Sequence, residues 1–294
     1  MDMVHFIPPG QRRLVLLAAQ TDTAPVIIHG STGTGKGAIA RWIHQNGPRS
    51  GRPMVTARRD QPLAGEAMQA QGGTLVINEV GELPLGEQVL LLNLLKTRSV
   101  PHPGDNGTRM LVNARIIVTT SQSLDARAAG GLFNGDLLKK LNVFRIEMPA
   151  LEKRIEEFED IVLGILGEIT RELHKEHLRG LSPAAWKKLR AHDWPGNLRE
   201  LRNVLRFATI TAQGDLVTEE DVPDFGLEHV DFRATREEFE KIYLLELLRT
   251  FNWQIDRTSE ATRMDQESLL ARMARFGIRR EGDSVPQGVP PNNP

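Results

Sequence analysis

The chain contains no cysteine in its 294 residues. That excludes disulfides, thiolate zinc sites and a cysteine nucleophile, and it fits a reducing compartment. It also lacks long apolar runs: no stretch approaches the roughly 18 residues that a membrane span needs, so no membrane partner is expected. The start, Met1-Asp2-Met3-Val4-His5, lacks the basic-then-apolar order of a signal peptide, and the expected location is the cytoplasm. Charge of either sign is not in excess, since 37 Lys and Arg face 38 Asp and Glu for a net −1. There is thus no global attraction to nucleic acid or anionic lipid, and any such binding must come from a local patch. No internal repeat is visible. What is present is 40% hydrophobic residues, enough for a substantial core, over a length that suggests about two domains.

The most informative segment is Gly30-Ser31-Thr32-Gly33-Thr34-Gly35-Lys36-Gly37. It lies between the apolar run Pro25-Val26-Ile27-Ile28-His29 and a helix-like run from Ala38. In such a P-loop the backbone N–H groups of a glycine-rich turn close around phosphate oxygens. The lysine neutralises the outer phosphates, and the next helix offers its positive N-terminus. These eight residues are the expected nucleotide cradle, with ATP or ADP as the ligand.

Over residues 14–149, β-type runs at 26–29, 54–57, 74–78, 115–120 and 143–148 alternate with helical patterns, among them 38–45 and 87–97. Alternation of this kind gives a mostly parallel sheet with helices on both faces and a ligand at the carboxyl ends of the strands. The α/β part is thus expected over 1–150. After Leu151 the β signal fades: 155–174 and 183–191 read as helices, the second capped by Ser182. Trp194-Pro195-Gly196-Asn197 reads as a turn that opens another helix carrying Leu198, Leu201, Val204, Leu205 and Ala208 on one face. A helical lid over 151–212, a linker over 213–235 and a helical segment over 236–280 follow. Within the last, runs at 236–251 and 257–275 flank a break at Asn252-Trp253 and suggest a helix-turn-helix. The tail 281–294, with little to bury, is expected to be disordered.

Four segments in this order resemble the AAA+ core of sigma-54-dependent transcription activators, the bacterial enhancer-binding proteins. They are the P-loop, Gly72-Gly73-Thr74-Leu75-Val76-Ile77-Asn78-Glu79, Leu141-Asn142-Val143-Phe144 and Trp194-Pro195-Gly196-Asn197-Leu198-Arg199-Glu200-Leu201. The resemblance covers nearly the whole chain. It implies a P-loop parallel-sheet core, an α-helical lid and a C-terminal Fis-type helix-turn-helix; no receiver or sensory domain is expected ahead of the core. Members of that family are ATPases that assemble as rings, usually hexamers, and use hydrolysis to push a surface loop against sigma-54.

Hydrolysis needs a magnesium-bound nucleotide, a polarised water and a cation at the transferring phosphoryl group. Against the family's pattern, the chain departs at each part. The Asp-Glu pair after the Gly-Gly-Thr strand, which serves metal and water, is here Asn78-Glu79, so Mg²⁺ should be weakly held. Gly37 follows the lysine, where P-loop enzymes carry a hydroxyl and this family a glutamate. Ser121 stands at the first-sensor asparagine. The two arginine-finger positions align with Asn134 and Lys140, and a lysine lacks the planar fork of arginine. Since an arginine finger is worth about a thousandfold or more in rate, the resemblance implies feeble turnover at most. Lys36, Glu79 and the second-sensor Arg199 are kept. The long hairpin with the Gly-Ala-Phe-Thr-Gly-Ala loop is replaced by residues 58–71, which excludes the usual contact with sigma-54. Arg58 and Arg59 there read as solvated surface.

By the same resemblance Arg263, Gln266, Ser268 and Arg272 are the expected DNA contacts. Charge lends this little support: over 233–280 ten basic residues face eight acidic ones. Phe239, Ile242, Tyr243, Leu245, Glu246 and Leu248 are expected to form a dimer seam. His174 and His177, three apart on an expected helix, read as a solvated face rather than a metal pair, as do the acidic residues Glu156, Glu157, Glu159 and Asp160. Trp186 and Trp194 are expected to pack the lid. The leading expectation is a nucleotide-binding, hydrolysis-deficient transcriptional regulator that self-associates as a dimer or ring. A slow ATPase that remodels another partner, and an oligomeric scaffold or cyclic di-GMP-responsive regulator, remain as alternatives.

Overall fold

The computed structural model describes residues 6–102, 108–225 and, within 241–278, all but 242, 243, 246, 250 and 263. It divides into two compact units, Met1–Ile169 with Arg190–Leu205, and Thr170–Leu189 with Arg206–Pro294.

The first unit is built on a parallel five-stranded sheet. Its strands are β1 (Val26–Gly30), β2 (Met54–Thr56), β3 (Thr74–Ile77), β6 (Arg115–Thr120) and β7 (Phe144–Met148), in the order β2-β3-β6-β1-β7. The expected runs are therefore all strands, to within a residue at their ends. Register is fixed by apolar pairs such as Val26↔Ile117 and Leu75↔Ile116. Successive side chains leave opposite faces of each strand. Ile27, Leu75, Ile77, Ile116 and Val118 join one core with residues of α3 (Leu63–Gln69), α4 (Leu85–Thr97), α5 (Leu124–Ala129) and α6 (Gly135–Leu141). The opposite face is met by α1 (Pro9–Gln20) and α2 (Lys36–Gln45), which bury Val15, Ala18, Ile39 and Ile43. Each buried Val, Leu or Ile among them contributes about 1.5–3 kcal/mol.

Two features escaped the alternation pattern. One is a short antiparallel hairpin of β4 (Ser99–Pro101) and β5 (Arg109–Leu111). The other is Arg115, which opens β6 yet is 1% exposed. It donates to Ala18 O and, at 3.1 Å, to Thr21 Oγ1 at the end of α1. Burial and the neighbouring Arg49 charge pull its pKa down to about 10. Beside it Arg49 is paired with Asp22 at 2.7 Å and donates to Gly73 O and Asn113 O.

Between β2 and β3 the only helix is α3, seven residues long, and Glu66 on it accepts from Arg58 N at 2.7 Å. No hairpin interrupts residues 58–71. After β7 the chain passes through 3₁₀ turns into α7 (Phe158–Glu172). Trp194 is buried in the first unit against Phe158, ring centroids 6.1 Å apart.

In the second unit β8 (Gly180–Leu181) pairs with β9 (Leu216–Val217), and Ser182 Oγ caps α8 (Pro183–Arg190) as expected. Helix α9 (Asn197–Thr211) ends where Lys175 Nζ donates to the carbonyls of Thr209, Ile210 and Ala212. The run expected to be one helix over 257–275 is instead two, Ile255–Thr262 and Gln266–Phe276. Asp265 causes the split, since its carboxylate caps the second helix by accepting from Ser268 N at 2.8 Å. The expected break at Asn252-Trp253 is present, both residues having positive φ. Leu244, Leu248, Leu269 and Ile278 form a small core beneath these helices. Phe239, Ile242, Tyr243, Glu246 and the tail 281–294 lie outside the described residues, as does the part of the expected linker from 226 to 235. Among the described residues no helix is long and apolar enough to cross a membrane.

Candidate phosphate-binding site

Because the sheet is parallel, the segments after β1, β3 and β6 all emerge at one edge, and β6 lies between the other two. The P-loop, the Asn78-Glu79 pair and Ser121 are thereby brought together at the strand carboxyl ends. They line a cavity of about 790 Å³, closed on another side by Arg199 and Arg202 of α9.

The loop's glycines are required by geometry. Gly33 and Gly35 have φ of +85° and +94°, open to glycine at little cost. A Cβ on Gly33 would stand 2.1 Å from Gly196 O, and one on Gly30 2.3 Å from Met148 O. Gly37 differs, because a Cβ there would meet nothing within 4 Å. Thr34 Oγ1 braces the loop by donating to Ser31 O at 2.8 Å. Lys36, 8% exposed, donates from Nζ to Gly30 O at 2.7 Å and to Ser31 O at 3.2 Å.

Glu79 sits in the left-handed region at φ +50°. Its Oε1 lies 3.3 Å from Lys36 Nζ, and its Oε2 accepts from Ser121 N at 2.7 Å and Ser121 Oγ at 2.8 Å. Burial pushes this carboxyl up, but the two Ser121 donors and the Lys36 charge outweigh it and hold the group below the usual carboxylate range. Ser121, at the first-sensor position, is thus occupied by Glu79. Asn78 is exposed and lines the cavity, its Oδ1 accepting from Thr119 Oγ1 at 3.1 Å.

Asn134 and Lys140 do not line the cavity. Asn134 is the N-cap of α6, its Oδ1 accepting from Asp136 N at 2.9 Å and Leu137 N at 3.0 Å. Lys140 is exposed. Arg199 lines the cavity, and its backbone N–H donates to Gly33 O at 3.2 Å.

The residue that sequence reasoning missed is Asn197. It stands at φ +55°, a conformation asparagine tolerates better than most, and that is the one local signal it carries. Its Nδ2 donates to Thr32 O at 3.0 Å, and its Oδ1 accepts from Leu151 N at 2.8 Å. One buried side chain therefore ties the P-loop, the end of the sheet and the start of α9. Arg202, paired with Glu168, was missed as well.

The other candidate residues do not gather into a second site. Gln266 Nε2 donates to Asp256 Oδ1 at 2.7 Å, and Ser268 is engaged with Asp265. Arg272 is exposed, and Arg263 lies outside the described residues. The N–H and hydroxyl of Ser268 hold the Asp265 carboxyl below its usual range. His174 and His177 are both exposed beyond the end of α7, so they do not share a helix face. Among the described residues no cluster of three or more His, Cys, Asp or Glu could hold a metal. Arg58 is paired with Asp60, and Arg59 with Glu82 on the cavity wall.

Residues 11–151 match the family model for the sigma-54 interaction domain, and residues 152–238 match the AAA+ ATPase lid domain. NtrX from Brucella abortus, crystallised in complex with ADP, is 31% identical with a TM-score of 0.63, the match covering 92% of this chain and 67% of that one. The chain belongs to the sigma-54 interaction family of AAA+ proteins. A structure of the same NtrX in complex with ATP matches at 30% identity and a TM-score of 0.62, over 92% of this chain and 67% of that one. Transcriptional regulatory protein ZraR of Salmonella typhimurium is 33% identical over 246 residues, 75% of this chain and 55% of ZraR. The alginate biosynthesis transcriptional regulatory protein AlgB of Pseudomonas aeruginosa is 30% identical over 88% of this chain and 64% of AlgB. The chain spans a little over half the length of ZraR.

Proposed function

We propose that this chain is a nucleotide-binding, hydrolysis-deficient transcriptional regulator of the family, and that it does not drive sigma-54 as a motor. The observation that carries this reading is the state of Glu79. Its Oε2 is taken twice by Ser121 and its Oε1 faces Lys36, while the loop that grips phosphate is formed. A water-polarising carboxylate must present a free oxygen to the nucleophile. The missing side chain at Gly37, the amide at Asn78 and the cap role of Asn134 point the same way. Nucleotide binding draws further support from the relative crystallised with ADP and with ATP. The seven-residue α3, standing where the family carries its sigma-contacting hairpin, supports an output other than sigma-54.

That output is transcriptional control through the C-terminal helices. Gln266, Ser268 and Arg272 on the helix Gln266–Phe276, with Arg263 before it, are the contacts to DNA, and self-association as a dimer or ring provides the second half-site. The test is steady-state phosphate release from ATP by concentrated protein, with Lys36→Ala as control and a parallel binding titration. Binding without turnover is expected. Turnover above the control would instead favour a slow ATPase acting on another partner, for which Lys36, Glu79 and Arg199 are all at the cavity.

A further inference from the structure

The Asp-to-Asn replacement after β3 does more than remove a metal ligand. A divalent cation such as Mg²⁺ requires hard oxygen donors, commonly one or two carboxylates with the nucleotide's own phosphates. Here Gly37 offers no side chain, and both oxygens of Glu79 are engaged by Lys36 and Ser121. The oxygen of Asn78 is also engaged. Thr119 Oγ1 accepts the Glu79 N–H at 3.3 Å and donates its own proton to Asn78 Oδ1, 3.1 Å away. With the amide oxygen turned toward Thr119, the Nδ2 donors are left for the cavity that Asn78 lines. These residues do not fit a magnesium site.

They do fit a phosphate. An aspartate here would repel a phosphate oxygen unless a cation stood between them, whereas an amide N–H donates to it directly. Lys36 and Arg199 at the same cavity supply positive charge that a metal would otherwise bring. We propose that Asn78 is a direct hydrogen-bond donor to the phosphates of the bound nucleotide, and that this site holds ADP or ATP without a divalent cation. The inference rests on the nucleotide-binding reading above and adds to it the means of binding.

Calorimetric titration of the full chain with ADP and with ATP, at fixed ionic strength in Mg²⁺ or in EDTA, tests it. The wild-type dissociation constant should change less than threefold between the two media. Asn78→Asp keeps the acceptor for Thr119 and is expected to fold. It should bind at least tenfold more weakly in EDTA and recover with Mg²⁺. Asn78→Ala should weaken binding about ten- to a hundredfold in both media alike, equal to the loss of one hydrogen bond to a charged group. A wild-type loss of tenfold or more in EDTA overturns the proposal and leaves nucleotide binding standing, as does Asn78→Asp binding as tightly as wild type in EDTA. No binding by the wild type in either medium overturns both.

Discussion

Ser121 grips Glu79 twice, its backbone N–H and its hydroxyl both donating to the same carboxylate oxygen at 2.7 and 2.8 Å. The grip follows from topology: β6 neighbours β3, so the first residue past β6 meets the second residue past β3. These bonds favour the ionised carboxylate and lower its pKa despite burial. A carboxyl depressed in the folded state adds stability that is full above its ordinary value of 4.5 and is lost as pH falls through the folded value. Glu79→Gln should therefore cost about 1–3 kcal/mol at pH 7, the worth of hydrogen bonds to a charged group. The cost should shrink progressively below pH 4.5. Urea denaturation of both proteins at several pH values measures it, and a difference that stayed constant with pH would contradict this account of Glu79.

Asn197 should matter to the P-loop more than its distance in sequence suggests. Asn197→Ala removes the bonds to Thr32 O and Leu151 N and also places alanine at φ +55°. The backbone term is about 1 kcal/mol, and each lost bond adds about 1 kcal/mol. Asn197→Gly separates the two, since glycine accepts the backbone but makes no bonds. Both variants should bind ADP at least tenfold more weakly, and the glycine variant should melt higher than the alanine one. Equal melting temperatures would mean that the left-handed backbone costs nothing here.

The cradle was legible because its parts are contiguous. Gly30 to Gly37 follow one strand and precede one helix, and the strand 115–120 was expected with the bounds it has. The positions Asn78, Glu79, Ser121 and Arg199 came from resemblance, and the structure brings them to one cavity. What each touches was not legible. Ser121 and Glu79 lie 42 residues apart, and Asn197 and Thr32 lie 165 apart. Such contacts depend on strand order and on the packing of α9, neither of which leaves a local pattern. Arg115 was hidden for a related reason, because a charged first residue of a strand reads as an exposed end, while the Ala18 carbonyl and the Thr21 hydroxyl at the end of α1 accept from its guanidinium. The separate helix Gln266–Phe276 turns on one side chain, Asp265, whose capping bond outweighs the apolar spacing that runs through it.

Two glycines of the loop should respond oppositely to alanine. Gly33→Ala places a Cβ 2.1 Å from Gly196 O at φ +85°. Backbone strain of about 1–2 kcal/mol and overpacking of about 1–3 kcal/mol both oppose it. Gly37→Ala lies on α2 with open space around the new methyl. It should stabilise the helix by about 0.5–1 kcal/mol. Thermal melts of the two variants, without ligand, decide the point: Gly33→Ala falls below wild type and Gly37→Ala rises above it. A Gly37→Ala protein that melted lower would place an unrecognised constraint at that position.

Asn134 explains why an arginine cannot simply be returned to its position. Its Oδ1 accepts the N–H groups of Asp136 and Leu137, which satisfies two of the donors that open α6. Its own N–H donates to Gln88 Oε1 at 2.8 Å, a bond that any residue but proline keeps. An arginine side chain has no acceptor to offer the helix, so Asn134→Arg should lose about 1 kcal/mol. Asn134→Asp, which still accepts and adds a negative charge at the helix N-terminus, should lose nothing measurable. The double variant Asn134→Arg with Lys140→Arg restores a guanidinium at both expected finger positions, yet leaves Glu79 held by Ser121 and Lys36 and leaves residue 37 bare. Phosphate release by that variant should remain at the level of Lys36→Ala. Turnover restored by the two arginines alone would mean that Ser121 lets go of Glu79 once a nucleotide and a neighbour are in place, and that the finger positions are what silence this site.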